Sequence, residues 1–138
     1  MAPDLTGEHL DGQKVRLSDK RASYAVVFFY PKDDTPGCTK EACAFRDAFD
    51  RYAQRGIEIF GVSRDDRESH RKFQKHHTLP FALVADVDGK LQDAYGVGSR
   101  FGMSKRVTFL VAPGGKIARV WPDVDPAVHS KEVLSAVN

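Results

Sequence analysis

The 138-residue chain reads as a single α/β domain, residues 1–138, with a central mixed sheet flanked by helices. Three features predict this. Short apolar runs rich in β-branched and aromatic residues recur along the chain, segments of helical spacing or dense charge separate the early ones, and a Pro-Gly-Gly turn joins the last two. Parallel neighbours need crossover connections, which the intervening helices supply, whereas the final pair can close as an antiparallel hairpin.

Taken in order, Val15-Arg-Leu17 suggests a small outer strand. Tyr24 to Tyr30 is a continuous apolar run that stops at Pro31, the pattern of a central strand. From Thr39 to Gln54 the apolar side chains fall at Ala42, Phe45, Phe49, Tyr52 and Ala53, the stripe of an amphipathic helix, and Gly56 follows as a stop signal. Ile57 to Val62 is the next strand. Arg64 to His77 is a charged surface helix, and Phe81 to Ala85 is a third strand closed by the turn at Asp88-Gly89. Leu91 to Tyr95 forms a short helix. Val107 to Ala112 and Lys116 to Trp121 make a hairpin across Pro113-Gly-Gly115, and a last helix runs from about Ser130 to Val137. This succession is thioredoxin-like in outline. The chain contains no internal repeat, low-complexity stretch or linker that would divide it.

Composition narrows the function classes. Hydrophobic residues make up 41% and charged residues 29%, ordinary globular usage, and the net charge of +2 comes from interspersed acids and bases. No basic patch suited to nucleic acid is present. The longest apolar run, seven residues from Tyr24 to Tyr30, falls far short of the ~20 needed to span a membrane. The N-terminus lacks the positive and apolar regions of a secretory signal, so a cytoplasmic protein is expected. Two cysteines, Cys38 and Cys43, make neither a secreted disulfide framework nor a four-ligand zinc site. The nearest histidines, His9 and His70, lie far from zinc-finger spacing. No cofactor or metal is expected. His76 and His77 are read as ending a charged helix and His129 as lying near the start of the last one, none with a ligand role.

Two close cysteines without a signal point to redox chemistry. Thr35 is a good N-cap residue and Pro36 suits the first helical position, which puts Cys38 in the first turn. Exposed backbone N–H groups and the positive end of the helix dipole favour a thiolate there. Cys43 follows five residues later. On a regular helix that spacing means ~7.5 Å of rise and ~140° of rotation, so the Cα atoms stand ~8.6 Å apart. A disulfide needs less than about 7 Å. Either the pair never closes or the first turns unwind. Cys43 also fits the apolar stripe of the helix as a plain core residue.

The residues Pro31, Thr35 and Cys38 form a P-x-x-x-T-x-x-C pattern that resembles the signature of peroxiredoxins, and Arg106, just before Val107-Thr-Phe-Leu-Val111, falls where that family carries an arginine. The string from Phe29 to Cys43, followed by Phe45-Arg-Asp47, resembles the Q-type branch, also called bacterioferritin comigratory protein. So do Gly61-Val-Ser63, Pro80-Phe81, Asp86, Asp88-Gly-Lys90, Tyr95-Gly-Val97 and His129. The resemblance covers almost the whole chain. It implies a thiol peroxidase that reduces hydrogen peroxide and organic hydroperoxides. Cys38 would attack the peroxide and become a sulfenic acid. Thr35 and Arg106 would bind the sulfur and the reacting oxygens, with Pro31 shaping the loop. Cys43 would condense with the sulfenate to an intramolecular disulfide that thioredoxin or a similar dithiol reduces. A monomer is implied, since both thiols lie in one chain. Two other readings stay open: a thioredoxin-like disulfide oxidoreductase, against which the C-x4-C spacing argues, and a non-catalytic peroxide sensor on the same fold.

Overall fold

The computed structural model describes residues 2–100, 102–122, 124–126 and 129–137, with Arg100 described in its backbone alone. The chain opens with strands β1 (Thr6–Glu8) and β2 (Lys14–Arg16) and a 3-10 turn at Leu17–Lys20. Then come β3 (Tyr24–Phe29), α1 (Pro36–Asp47), α2 (Phe49–Gln54), β4 (Ile57–Ser63), α3 (Arg67–His77), β5 (Ala82–Ala85) and α4 (Lys90–Ala94). A two-stranded ribbon, β6 (Ser99–Arg100) with β7 (Met103–Ser104), precedes β8 (Val107–Val111), β9 (Ile117–Trp121) and α5 (His129–Ala136). Among the described residues no helix is long and apolar enough to cross a membrane.

The main sheet has seven strands in the order β2-β1-β5-β4-β3-β8-β9. Strands β3, β4 and β5 run parallel through helical crossovers, while β8 adds antiparallel to β3, β9 antiparallel to β8, and β1 antiparallel to β5. The mixed sheet expected from the sequence is therefore present, with β3 in its interior. Alternation along β3 sends Val26 and Phe28 to the face that packs on α1, α2, α3 and α5, where they meet Ala42, Phe45, Tyr52, Phe73 and Val133. Ala25, Val27 and Phe29 face the other way, against Leu5, Leu17, Tyr95 and Phe109. All of β3 after Tyr24 is buried, as a strand covered on both faces must be.

Three local expectations need correction. The outer strand is Lys14–Arg16 rather than Val15–Leu17, since Leu17 turns into the core, and it has an unforeseen partner in β1. Thr-Gly-Glu carries no apolar signal. Gly7 is there because a Cβ would meet the Cβ of Ala82 at 2.8 Å, so only glycine lets this strand lie so close to β5. The helix expected to run on to Gln54 starts at Pro36, as its cap signals, but is broken at Ala48 (φ −93°, ψ 1°). The break swings α2 so that the buried Tyr52 hydroxyl donates to the Ser130 carbonyl at 2.7 Å. The charged helix begins at Arg67 rather than Arg64, because Asp66 caps it by accepting from the Ser69 amide at 2.8 Å.

Candidate active site

The segment between β3 and α1 is fastened before it reaches the cysteine. Tyr30 extends β3, its amide donating to the Val62 carbonyl, and its hydroxyl donates to Asp33 Oδ1 at 2.6 Å. Burial, then the nearby Asp33 charge, push the Tyr30 phenol well above its usual range, so it stays a proton donor. Asp33 Oδ2 pairs with His70 Nδ1 at 2.7 Å and accepts from Ser69 Oγ at 2.8 Å, while His70 Nε2 donates to the Val84 carbonyl at 3.0 Å. The Asp33 amide donates to Asp65, which also accepts from Ser63 Oγ. This network is satisfied at each of these atoms, and it ties the loop after β3 to α3 and β5.

Pro31 sits half-buried at the exit of β3, where it carries no amide proton. Thr35 occupies the N-cap position of α1 in extended conformation with Pro36 as first helical residue, as expected. Its side chain, however, makes no capping bond: the hydroxyl donates to the Lys32 carbonyl at 2.8 Å. Its only proton is thereby committed, and the oxygen can act toward a substrate as an acceptor. Cys38 lies in the first turn and is almost fully buried.

Arg106 reaches the sulfur from a distant part of the chain. The β3–β8 register pairs Phe29 with Val107, so the residue before Val107 emerges beside the loop that follows β3. From there Arg106 Nη2 donates to Cys38 Sγ at 3.3 Å, and Nη1 donates to Glu41 Oε1 at 2.7 Å. A Cβ on Gly37 would stand 3.0 Å from Arg106 Nη2, so glycine leaves the guanidinium its place over the helix start. Burial works against the Arg106 charge, but Glu41 and Cys38 outweigh it and hold the guanidinium protonated more firmly than usual.

Glu41 was missed in the sequence. It follows Cys38 by three positions, on the same buried face as Ala42 and Phe45, a spacing that could have flagged it. It is 1% exposed, and its Oε2 has no hydrogen-bond partner among the described residues. Burial pushes its carboxyl up to about 7, with the Arg106 charge pulling the other way. An acid whose native pKa lies above its unfolded value binds more protons when folded. Its stabilising effect is thus full below about pH 4.5 and fades as pH rises through about 7. Thermal or urea unfolding should therefore show wild type losing on the order of 1–3 kcal/mol across that window relative to Glu41→Gln, which keeps an acceptor for Arg106. Parallel pH profiles for the two proteins would remove Glu41 as the source.

Cys43 stands apart from this cluster, half-buried on the second half of an unbroken α1, and both cysteines are free thiols. Burial raises the Cys43 thiol, opposed by Arg46 and reinforced by Asp47 and Asp34. The structure thus brings Cys38 and Arg106 together with Thr35 at the same helix start, and leaves Cys43 about one and a half turns further along α1.

Comparison with known proteins identifies a family over most of the chain. The AhpC/TSA family model matches residues 1–120. A peroxiredoxin Bcp of Bacillus subtilis is 41% identical over 145 residues, spanning 99% of this chain and 91% of that protein. A putative peroxiredoxin bcp of Coxiella burnetii is 39% identical, spanning 96% and 93%. Among solved structures, the bacterioferritin comigratory protein of Xanthomonas campestris, described for its alkyl peroxide reduction activity, superimposes with a TM-score of 0.87 at 33% identity, covering 96% of this chain and 89% of that one.

Proposed function

The chain belongs to the AhpC/TSA family and is a thiol peroxidase of the Bcp/peroxiredoxin Q kind, and from that premise we propose that Cys38 is its peroxide-attacking residue and Cys43 its resolving thiol. The observation that supports this most directly is the Arg106 guanidinium on Cys38 Sγ at 3.3 Å, at the N-terminal turn of α1. The sulfur attacks the terminal oxygen of hydrogen peroxide or an organic hydroperoxide. An S–O bond forms, the O–O bond breaks, and the departing oxygen takes a proton to leave as water or alcohol. Arg106 neutralises the charge that develops on the leaving oxygen, and Thr35 Oγ1 accepts a hydrogen bond from the peroxide. Pro31 shapes the loop that shields the buried sulfur from bulk water. The Cys43 sulfur then displaces hydroxide from the Cys38 sulfenic acid, and the thiol proton leaves with it as water. A dithiol reductant, thioredoxin or a protein like it, reduces the resulting disulfide. The cycle suits a monomer in a thiol-reducing compartment such as the cytoplasm, because both sulfurs lie in one chain and the disulfide has to be re-reduced each turn.

The second half of this cycle requires movement. With α1 continuous from Pro36 to Asp47, the two Cα atoms lie ~8.6 Å apart, beyond the ~7 Å limit for a bridge. The oxidised protein should have the first turns of α1 melted and Cys43 swung toward Cys38. That opening gives up a few backbone hydrogen bonds, each worth about 1 kcal/mol net, so the disulfide should be easily reduced. Amide exchange of the reduced and peroxide-treated forms tests it, with lost protection expected across residues 36 to 44 only after oxidation. A Cys38–Cys43 bridge with the helix still protected, or oxidised protein holding only intermolecular bridges, contradicts the scheme.

A further inference from the structure

The turn that leads into α1 places two aspartates side by side with opposite fates. Asp33 points inward to His70, while Asp34, in left-handed conformation at φ +57°, points outward to the far end of α3. There Asp34 Oδ1 stands 3.1 Å from His76 Nδ1 and 2.8 Å from His77 Nε2. Neighbouring residues on a helix diverge by about 100°, so two adjacent histidines do not ordinarily share one partner. Here they do because His76 offers its near nitrogen and His77 its far one, with the rings 4.2 Å apart. His77 is held from behind: its ring packs edge-on against Phe73, and its carbonyl accepts from Arg46 Nη1 at 2.8 Å.

The geometry points to a divalent transition-metal site formed by Asp34 Oδ1, His76 Nδ1 and His77 Nε2. The three atoms all lie within 4.8 Å of one another. A tetrahedral ion with ligands at 2.0–2.1 Å needs edges of about 3.3 Å, so the two contacts to Asp34 have to open by only a few tenths of an ångström. Two imidazoles and a carboxylate suit the borderline ions, zinc, cobalt, nickel and copper, rather than calcium or magnesium. His76 and Asp34 are 68% and 42% exposed at their side chains, which leaves solvent to supply the remaining coordination position. The other convergent group, Asp33, Asp65 and His70, is a poorer candidate. Asp33 and His70 are buried, which leaves solvent no access to a coordination position, and both carboxylates already accept from other donors. Nothing along the chain pointed to a ligand role for His76 or His77, because Asp34 is 42 residues from the first of them. An ion here ties the loop before the cysteine helix to the end of α3, without touching Cys38 or Arg106.

The test uses the Cys38→Ser/Cys43→Ser protein, so that thiols cannot bind the probe and the outcome does not depend on the peroxidase assignment. Zn2+ titrated calorimetrically should bind one ion per chain, and Co2+ should give a visible ligand-field spectrum with nitrogen and oxygen donors. His76→Ala and His77→Ala should each weaken Zn2+ binding at least about tenfold. Because His76 is largely exposed, His76→Ala should leave the circular dichroism spectrum unchanged, which separates lost ligation from lost fold. Absence of saturable Zn2+ binding, or equal binding by the parent and the His76→Ala/His77→Ala variant, overturns the site.

Discussion

Replacing Cys38 by serine is expected to cut peroxide turnover by at least about a thousandfold while leaving the fold intact. The chemistry depends on a sulfur nucleophile that can carry an added oxygen and then surrender it to a second thiol, and a serine hydroxyl does neither at neutral pH. The structural disturbance is small. Cys38 is almost completely buried but short, and the oxygen of serine keeps an acceptor for Arg106 Nη2. The helix start is fixed independently by Pro36 at its first position and by the Asp33–His70–Tyr30 network upstream, so it does not rely on the sulfur. Consumption of hydrogen peroxide with dithiothreitol as reductant measures the effect, with far- and near-ultraviolet circular dichroism as the fold control. Turnover by Cys38→Ser at the wild-type rate would move the nucleophile elsewhere in the chain. Cys43→Ser provides the complementary case: its first oxidation should proceed at the normal rate, and only the intramolecular disulfide should be missing.

What could be read beforehand depended on how local the cause was. Strand β3 was plain because its burial on both faces demands an unbroken apolar run, and the start of α1 was plain because Thr35 and Pro36 act on their own neighbourhood. Strand β1 was invisible because its one buried position is Gly7, present for want of a side chain. The ribbon β6–β7 has two residues a side, too short for any periodicity. The break at Ala48 has its reason in the Tyr52 hydrogen bond to Ser130, a partner 78 residues away. The candidate site divides the same way. Cys38 and Thr35 carried a local pattern, whereas the pairing of Glu41 with Arg106 and the convergence of Asp33 on His70 arise only when distant segments meet. Arg106 was placed by resemblance, and the β3–β8 register supplies the physical reason that this position faces Cys38.

Arg106→Ala should slow sulfenate formation about 100-fold, the usual consequence of losing one preorganised charged donor worth ~3 kcal/mol. The residue has two tasks at once. One amino group lies on the sulfur and the other holds Glu41 Oε1 at 2.7 Å, so the planar fork itself is the working part. Alanine removes the donor from the reacting atoms and also leaves Glu41 buried without its partner. That second loss is expected to push the Glu41 carboxyl further toward its neutral form, since Arg106 is what opposes the effect of burial there. Arg106→Lys separates the two tasks. A single ammonium cannot reach both Cys38 and Glu41 in the fork geometry, so lysine should restore part of the stability and little of the rate. The rate is best measured on the Cys43→Ser background, where the sulfenic acid persists and can be trapped by a carbon nucleophile and counted by mass spectrometry. A rate of sulfenate formation unchanged in Arg106→Ala would mean that the 3.3 Å contact to Cys38 has no part in the oxidation step and that helix-start N–H groups alone prepare the sulfur.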